Sequence, residues 1–117
     1  MEATKKDRPI YVYDVPAECE DAEVKSIGLV QLTTGEELMA AKRAHGDNFK
    51  LAFELAKQCV AEVNGEKVSV ADGTVDTAWT KMTPQTRNLV MGEYAALHAP
   101  PEGAEEAFRK SRRVKVG

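Results

Sequence analysis

Residues 47–65 read DNFKLAFELAKQCVAEVNG, and this stretch gives the clearest signal of fold in the chain. Asp47 is a favourable N-cap for a helix that starts at Asn48. The apolar side chains that follow recur at spacings of three and four, which places them on one helical face. The first stripe contains Phe49, Ala52, Phe53, Ala56, Val60 and Val63, and a second contains Leu51, Leu55 and Cys59. The pattern predicts a central helix over residues 48 to about 63 that is covered on more than one side.

The end of this helix is open to two interpretations. Asn64-Gly65 is either a helix stop or the turn of a β-hairpin, because Asn-Gly is the strongest short hairpin signal. In a hairpin, residues 60–63 would pair with residues 67–70, and the helix would be shorter. Residues 68–70 read as a short strand in either case.

On the N-terminal side, the sequence predicts one strand and one helix. Residues 9–15 are β-branched and aromatic between two prolines, which is typical of an edge or isolated strand. Residues 24–32 fit either a short helix or a buried strand. Thr34 as N-cap with Glu37 at the third position forms a capping box, which predicts a helix over residues 36–45 that stops at Gly46.

On the C-terminal side, three further helices are predicted. A short helix over residues 76–82 would be capped by Asp76. Thr83 as N-cap and Pro84 at the first position start a helix over residues 84–98, and Pro100-Pro101 stops it. A last helix over residues 102 to about 113 has a weak apolar face, so it needs a docking partner to be stable.

These elements predict a mainly α fold of the α+β class, a compact bundle of three to five helices. The short N-terminal strand and a small hairpin near residues 60–70 complete it. The predicted organisation is an N-terminal arm and extended segment (1–23), a helical core domain (24–100) and a basic C-terminal helix or tail (101–117).

Composition agrees with one small globular domain. The 117 residues are 43% apolar and 30% charged, and no apolar run approaches the roughly 20 residues that span a bilayer. No secretory signal is visible, so we expect a cytoplasmic protein with Cys19 and Cys59 reduced. The net charge of -3 hides an acidic run of five carboxylates over residues 14–23 and a basic run of five over residues 109–115.

The motifs of common catalytic, phosphate-binding and metal-binding sites are absent from the sequence. His45 and His98 both lie at predicted helix ends, where an imidazole suits the helix dipole. The cysteines and histidines lack the spacing of a zinc site, and the acidic run lacks the pattern of a calcium loop. We therefore predict a non-enzymatic protein with no metal and no cofactor.

Six residues are candidates for partner binding: Phe49, Phe53, Trp79, Arg87, Tyr94 and Phe108. For Phe49, Phe53, Trp79 and Tyr94 the alternative is packing in the core, and for Arg87 it is an ion pair with Glu93 or Asp76. The basic tail comprises Arg109, Lys110, Arg112, Arg113 and Lys115. It is either a solvated helix end, a segment that folds onto a protein partner, or a phosphate-binding tail.

Several short segments resemble small tail assembly chaperones of tailed phages and prophages. They read EELMAAKRAHGD (36–47), LAFELAKQ (51–58), VNGEK (63–67) and WTKMTPQTRNLV (79–90). The family's patterns are A-x-R-x-x-G-D, A-x-E-L-A, an N-G hairpin and W-x-x-L-x-P-x-x-R, and Met82 stands here where leucine is usual. The resemblance covers about residues 33–98.

This resemblance implies a protein that binds the tape-measure protein, an elongated helical polypeptide, and keeps it soluble until the tail tube assembles. One alternative is a minor structural component of the phage particle, in the tail or the head–tail connector. A second alternative is a small nucleic-acid-binding regulator that uses the basic tail, a less favoured partner. A homo-oligomer is compatible with each function, and no membrane partner is expected.

Overall fold

The computed structural model describes residues 8–115, and within that range it confirms the predicted class of a mainly helical α+β fold. The α-helices are Thr34–Ala44 (α1), Asn48–Cys59 (α2), Thr74–Lys81 (α3), Pro84–Leu97 (α4) and Ala104–Lys110 (α5), and a 3₁₀ helix covers Ala17–Cys19. The strands are Tyr11–Asp14 (β1), Ser26–Leu29 (β2), Val60–Val63 (β3) and Glu66–Lys67 (β4).

The sheet is ordered as the chain runs, β1-β2-β3-β4, and every pairing is antiparallel. Residues 24–32, for which the sequence left helix and strand open, contain β2. Gly28 of β2 lies opposite Glu62 of β3. A Cβ atom on Gly28 would come within 2.8 Å of Ile10 Cγ2, so a larger residue at this crowded position of the sheet would force a neighbour to shift.

The central helix is shorter than its apolar pattern predicts. Helix α2 ends at Cys59 and β3 follows at Val60, so the helix to about residue 63 is wrong and the hairpin alternative is confirmed. Asn64 and Gly65 have φ values of 54° and 80°, as the favoured two-residue hairpin turn requires.

Contacts from outside the hairpin explain why residues 60–63 form a strand and not the last turn of the helix. The side-chain oxygen of Asn64 accepts hydrogen bonds from the backbone N–H groups of Lys25 (2.7 Å) and Ser26 (3.2 Å), and its amide donates to the Glu23 carbonyl. The predicted strand over residues 68–70 is wrong, because β4 covers only Glu66–Lys67.

Helix starts were predicted well where a single cap defines them. Asp47 caps α2 by accepting from the N–H groups of Phe49 and Lys50, and Thr83 caps α4 with Pro84 at its first turn. The capping box of α1 is one residue earlier than predicted, because Thr33 and Glu36 form it. The predicted cap Asp76 is wrong: α3 begins at Thr74 after Gly73, which has a φ of 80°.

The core lies where the C-terminal half of α2 meets the sheet, α3 and α4. Its fully or nearly buried residues include Leu29, Val60, Ala56, Cys59, Val75, Trp79, Met82 and Val90. Cys59 and Trp79 are both buried, so the structure confirms the alternative of core packing for Trp79. Tyr94 is half-buried against the same cluster.

Two polar side chains fasten the ends of α4 to distant parts of the chain. Asp21 is buried and accepts from the N–H groups of Val24 (2.8 Å) and Thr83 (3.1 Å). At the other end, the Nε2 atom of His98 accepts from the Leu32 N–H at 2.8 Å, and its Nδ1 lies 2.8 Å from the Tyr94 carbonyl. This agrees with the helix-capping role predicted for His98.

Helix α5 stands apart from this body. None of its residues is buried, and the molecule measures 59 Å along its long axis against about 30 Å across. Within residues 8–115, no helix is long and apolar enough to cross a membrane.

Candidate protein-binding surface

Three of the six predicted partner-binding residues line one cavity between α2, α3 and α4. We name it the aromatic–basic pocket; its volume is about 390 Å³, and its lining consists of Arg43, Lys50, Phe53, Glu54, Lys57, Trp79 and Arg87. The rings of Phe53 and Trp79 meet edge to face, with centroids 6.1 Å apart and planes at 74°. Trp79 is buried, whereas Phe53 is 41% exposed. The buried indole thus supports an aromatic side chain that faces solvent.

An ion-pair network joins the three helices beside the pocket. Arg43 Nε donates to Glu54 Oε1 at 2.7 Å, and Arg43 Nη2 donates to Asp76 Oδ2 at 2.9 Å. Lys57 Nζ lies 3.3 Å from Glu54 Oε2 and 3.2 Å from Asp76 Oδ1. The hydrogen bond with Glu54 raises the pKa of Arg43 above its usual range. Each base therefore bridges the same two carboxylates, which fixes α1 and α3 against α2.

Two further bases of the pocket are available to a ligand. Among the described residues, no carboxylate forms an ion pair with Lys50 or Arg87. Neither alternative pairing of Arg87, with Glu93 or with Asp76, is formed, and Asp76 pairs instead with Arg43 and Lys57. A pocket with two surplus positive charges beside exposed aromatic surface suits a partner that offers apolar side chains flanked by carboxylates.

Exposed apolar side chains extend this surface along α1 and the start of α2. Phe49, one turn before Phe53, is 85% exposed, and Leu38 and Met39 of α1 are 60% and 52% exposed. Core packing of Phe49 is therefore wrong. Phe49 lies in the first turn of α2, directly after the α1–α2 turn.

The remaining predicted residues lie elsewhere. Tyr94 is half-buried on α4 and its ring lies 4.6 Å from that of His98, with burial raising the pKa of its phenol. Phe108 is 81% exposed on α5. The basic side chains Arg109, Lys110, Arg112, Arg113 and Lys115 are all exposed.

Sequence reasoning missed several parts of the pocket. Arg43, Glu54, Lys57 and Asp76 were not singled out as a group. The i,i+3 spacing of Glu54 and Lys57 was the one local signal, since the other pairs join different helices. Among residues 8–115, no three His, Cys, Asp or Glu side chains form a group that could hold a metal ion. Comparisons with protein-family models, curated proteins and solved structures give no significant match for this chain.

Proposed function

We propose that this chain is a non-enzymatic protein-binding protein of the tail assembly chaperone kind, which binds the tape-measure protein in the host cytoplasm during tail morphogenesis. The proposal depends on one observation above all. Phe49 and Phe53 are exposed on the same helix, beside the surplus bases of the aromatic–basic pocket. Exposed aromatic side chains on a braced helix are typical anchors for a partner.

A helical partner fits this surface in a definite way. Its apolar stripe would lie across Phe49 and Phe53, which are four residues apart and share a helical face. Its flanking carboxylates would meet Lys50 and Arg87. The ion-pair network that holds α1, α2 and α3 together means that little ordering is needed on binding, which favours affinity.

The decisive experiment co-expresses this chain with a candidate tape-measure protein, a long helical polypeptide from the same genome. We expect the wild-type chain to keep the tape-measure protein soluble and to be recovered in complex with it. The double variant Phe49→Ala, Phe53→Ala should weaken the complex by about thirtyfold or more, because it removes two aromatic anchors. Arg87→Glu should weaken it through charge reversal.

The matched control is Val12→Ala, which truncates an apolar side chain that is 64% exposed on β1, away from the pocket. It should bind like the wild type. Equal solubility of the tape-measure protein with and without this chain would rule out the proposal. So would equal binding by the wild type and the double phenylalanine variant.

A structural component of the particle is the second candidate, and the exposed α5 favours it. A chaperone should be absent from finished particles, whereas a tail or connector component should be present at a fixed ratio to the other structural proteins. Mass spectrometry of purified particles measures this ratio directly.

A further inference from the structure

The C-terminal arm, residues 101–115, carries two large apolar side chains that are exposed to solvent. Phe108 is 81% exposed and Val114 is 85% exposed. The helix that carries Phe108 has seven residues, buries none of them, and has one exposed ion pair, Lys110–Glu106. A helix this short gains most of its stability from packing, so its native contacts are expected to come from docking.

A groove of suitable size lies between β1 and α4. It has a volume of about 200 Å³, and its lining is mostly apolar, with contributions from Tyr13, Val15, Ile27, Leu89 and Val90. A cavity of about 150 Å³ with an apolar lining holds a benzene molecule. The groove is therefore large enough for the ring of one phenylalanine.

The charges of the arm and the groove are complementary. Asp14 and Glu93 are the charged residues that line the groove, and no Lys or Arg is among the described residues of its lining. The exposed carboxylates of Glu18, Glu20 and Glu23 follow Asp14 in the chain. On the arm, Phe108 is followed directly by the basic run 109–115. Opposite charges around an apolar contact favour encounter and fix its orientation.

The arm leaves the body at the C-terminal end of α4, beyond the part of that helix that lines the groove. The groove is lined by the first part of α4, from Thr86 to Glu93, whereas the arm leaves from the other end of that helix. His98 fixes this end through Leu32, and Gln31 Nε2 donates to the Leu97 carbonyl at 2.9 Å. Pro100-Pro101 then restricts the chain to extended backbone.

We propose that Phe108 of one molecule inserts into the β1–α4 groove of a second copy of this chain, with the basic run of the arm against the carboxylates of the groove. The contact joins two different surfaces, so each molecule uses its arm once and its groove once. Such head-to-tail contacts produce closed rings or open filaments. The proposal uses surfaces separate from the aromatic–basic pocket and goes beyond binding of a tape-measure protein.

Sedimentation velocity of the full chain over a range of concentrations tests the proposal. The wild type should form oligomers larger than a dimer. The arm variant Phe108→Ala and the groove variant Leu89→Lys should each weaken association by about thirtyfold or more. Leu89 is 47% exposed, so a lysine there should remain solvated, and circular dichroism of the variant checks that it is folded.

Mixing the two variants gives the sharpest result. Each lacks one half of the contact, so an equimolar mixture should form a heterodimer and stop there. A second pair repeats the test by charge: Asp14→Lys with Glu93→Lys should abolish association, and Arg109→Glu with Arg112→Glu on the added partner should restore it. The matched control Phe49→Ala, at nearly the same exposure as Phe108, should leave self-association unchanged.

The following outcomes would overturn the proposal. A wild type that stays monomeric at its solubility limit would exclude it, including the case in which the arm docks on its own groove. So would a mixture of the variants that remains monomeric, or oligomers that disappear after nuclease treatment, which would assign the basic run to nucleic acid. By contrast, tape-measure binding that survives Phe108→Ala while self-association is lost would support the proposal and show that this contact is separate from the proposed function.

Discussion

Phe53 and Phe108 are both exposed aromatic side chains with basic neighbours, yet their surroundings differ. Phe53 rests edge to face on the buried Trp79, on a helix that ion pairs join to α1 and α3. Phe108 lies on a helix with no buried residue. The first is held in position before any partner arrives, whereas the second gains its order from what it docks on. The same residue type therefore occurs on two kinds of exposed surface, distinguished by what lies beneath them.

The largest effect on the free energy of unfolding is expected when a core residue is compared with a residue of the arm. Leu29 is 1% exposed in β2, so Leu29→Ala should lower the free energy of unfolding by about 3 kcal/mol through lost burial and a residual cavity. Phe108→Ala, measured at a concentration where the chain is monomeric, should change it by less than about 0.5 kcal/mol. Urea denaturation followed by circular dichroism measures both, and comparable losses would mean that the arm belongs to the body.

A smaller effect is expected from the network beside the aromatic–basic pocket. Glu54→Gln removes a carboxylate that is only 8% exposed and leaves Arg43 and Lys57 with Asp76 alone. We expect a loss of about 1 to 2 kcal/mol, below the value for a fully buried pair because solvent reaches Arg43 and Asp76.

The matched control for that network is Glu105→Gln on α5, an exposed carboxylate in the arm. It should leave stability within about 0.5 kcal/mol of the wild type. Equal stability of the Glu54 and Glu105 variants would mean that the pocket is not held by its ion pairs.

The smallest expected effect is the change in the free energy of unfolding at acidic pH that Asp21 produces. Burial raises the pKa of Asp21, but hydrogen bonds from the N–H groups of Val24 and Thr83 outweigh burial and hold it below the ordinary value of 3.8. The charged form is thus favoured in the folded state, so its contribution is present above pH 3.8 and is lost as the pH falls through the lower folded pKa.

Asp21→Asn should therefore lower the free energy of unfolding by about 1 kcal/mol at neutral pH. The difference from the wild type should shrink below pH 3.8, where the aspartate itself becomes protonated. Denaturation at a series of pH values measures this, with the exposed Glu18→Gln as control. If the difference in free energy of unfolding between the wild type and Asp21→Asn stays constant down to low pH, Asp21 acts by its shape and not by its charge.

Local signals predicted much of the fold. Asp47 and Thr83 cap their helices as expected, because a cap is a contact over two or three residues that the sequence contains in full. The apolar stripe of α2 predicted only in part which of its side chains are buried. Its pattern holds for Ala56 and Cys59, which are fully buried, and fails for Phe49, because periodicity defines a face but not what covers it.

The candidate site was predictable to a similar extent. Phe53, Trp79 and Arg87 were named from their residue types, and the structure brings them to one cavity. The pairing of Arg43 with Asp76 was not predicted, because the two residues are 33 positions apart in the chain. Their partnership depends on how α1 and α3 pack on α2, which no local pattern encodes.

The sequence by itself determined the starts of α2 and α4 and the two runs of opposite charge, since each depends on neighbouring residues. It left Asn64-Gly65 open between a helix stop and a hairpin turn. Only the tertiary structure decided that α2 stops at Cys59, because β3 gains its partner from β2, more than thirty residues earlier. It also decided that Phe53 packs against the buried Trp79, whereas Phe108 lies exposed on a helix with no buried residue. The burial of a side chain depends on which elements pack around it, and that packing exists only in the folded chain.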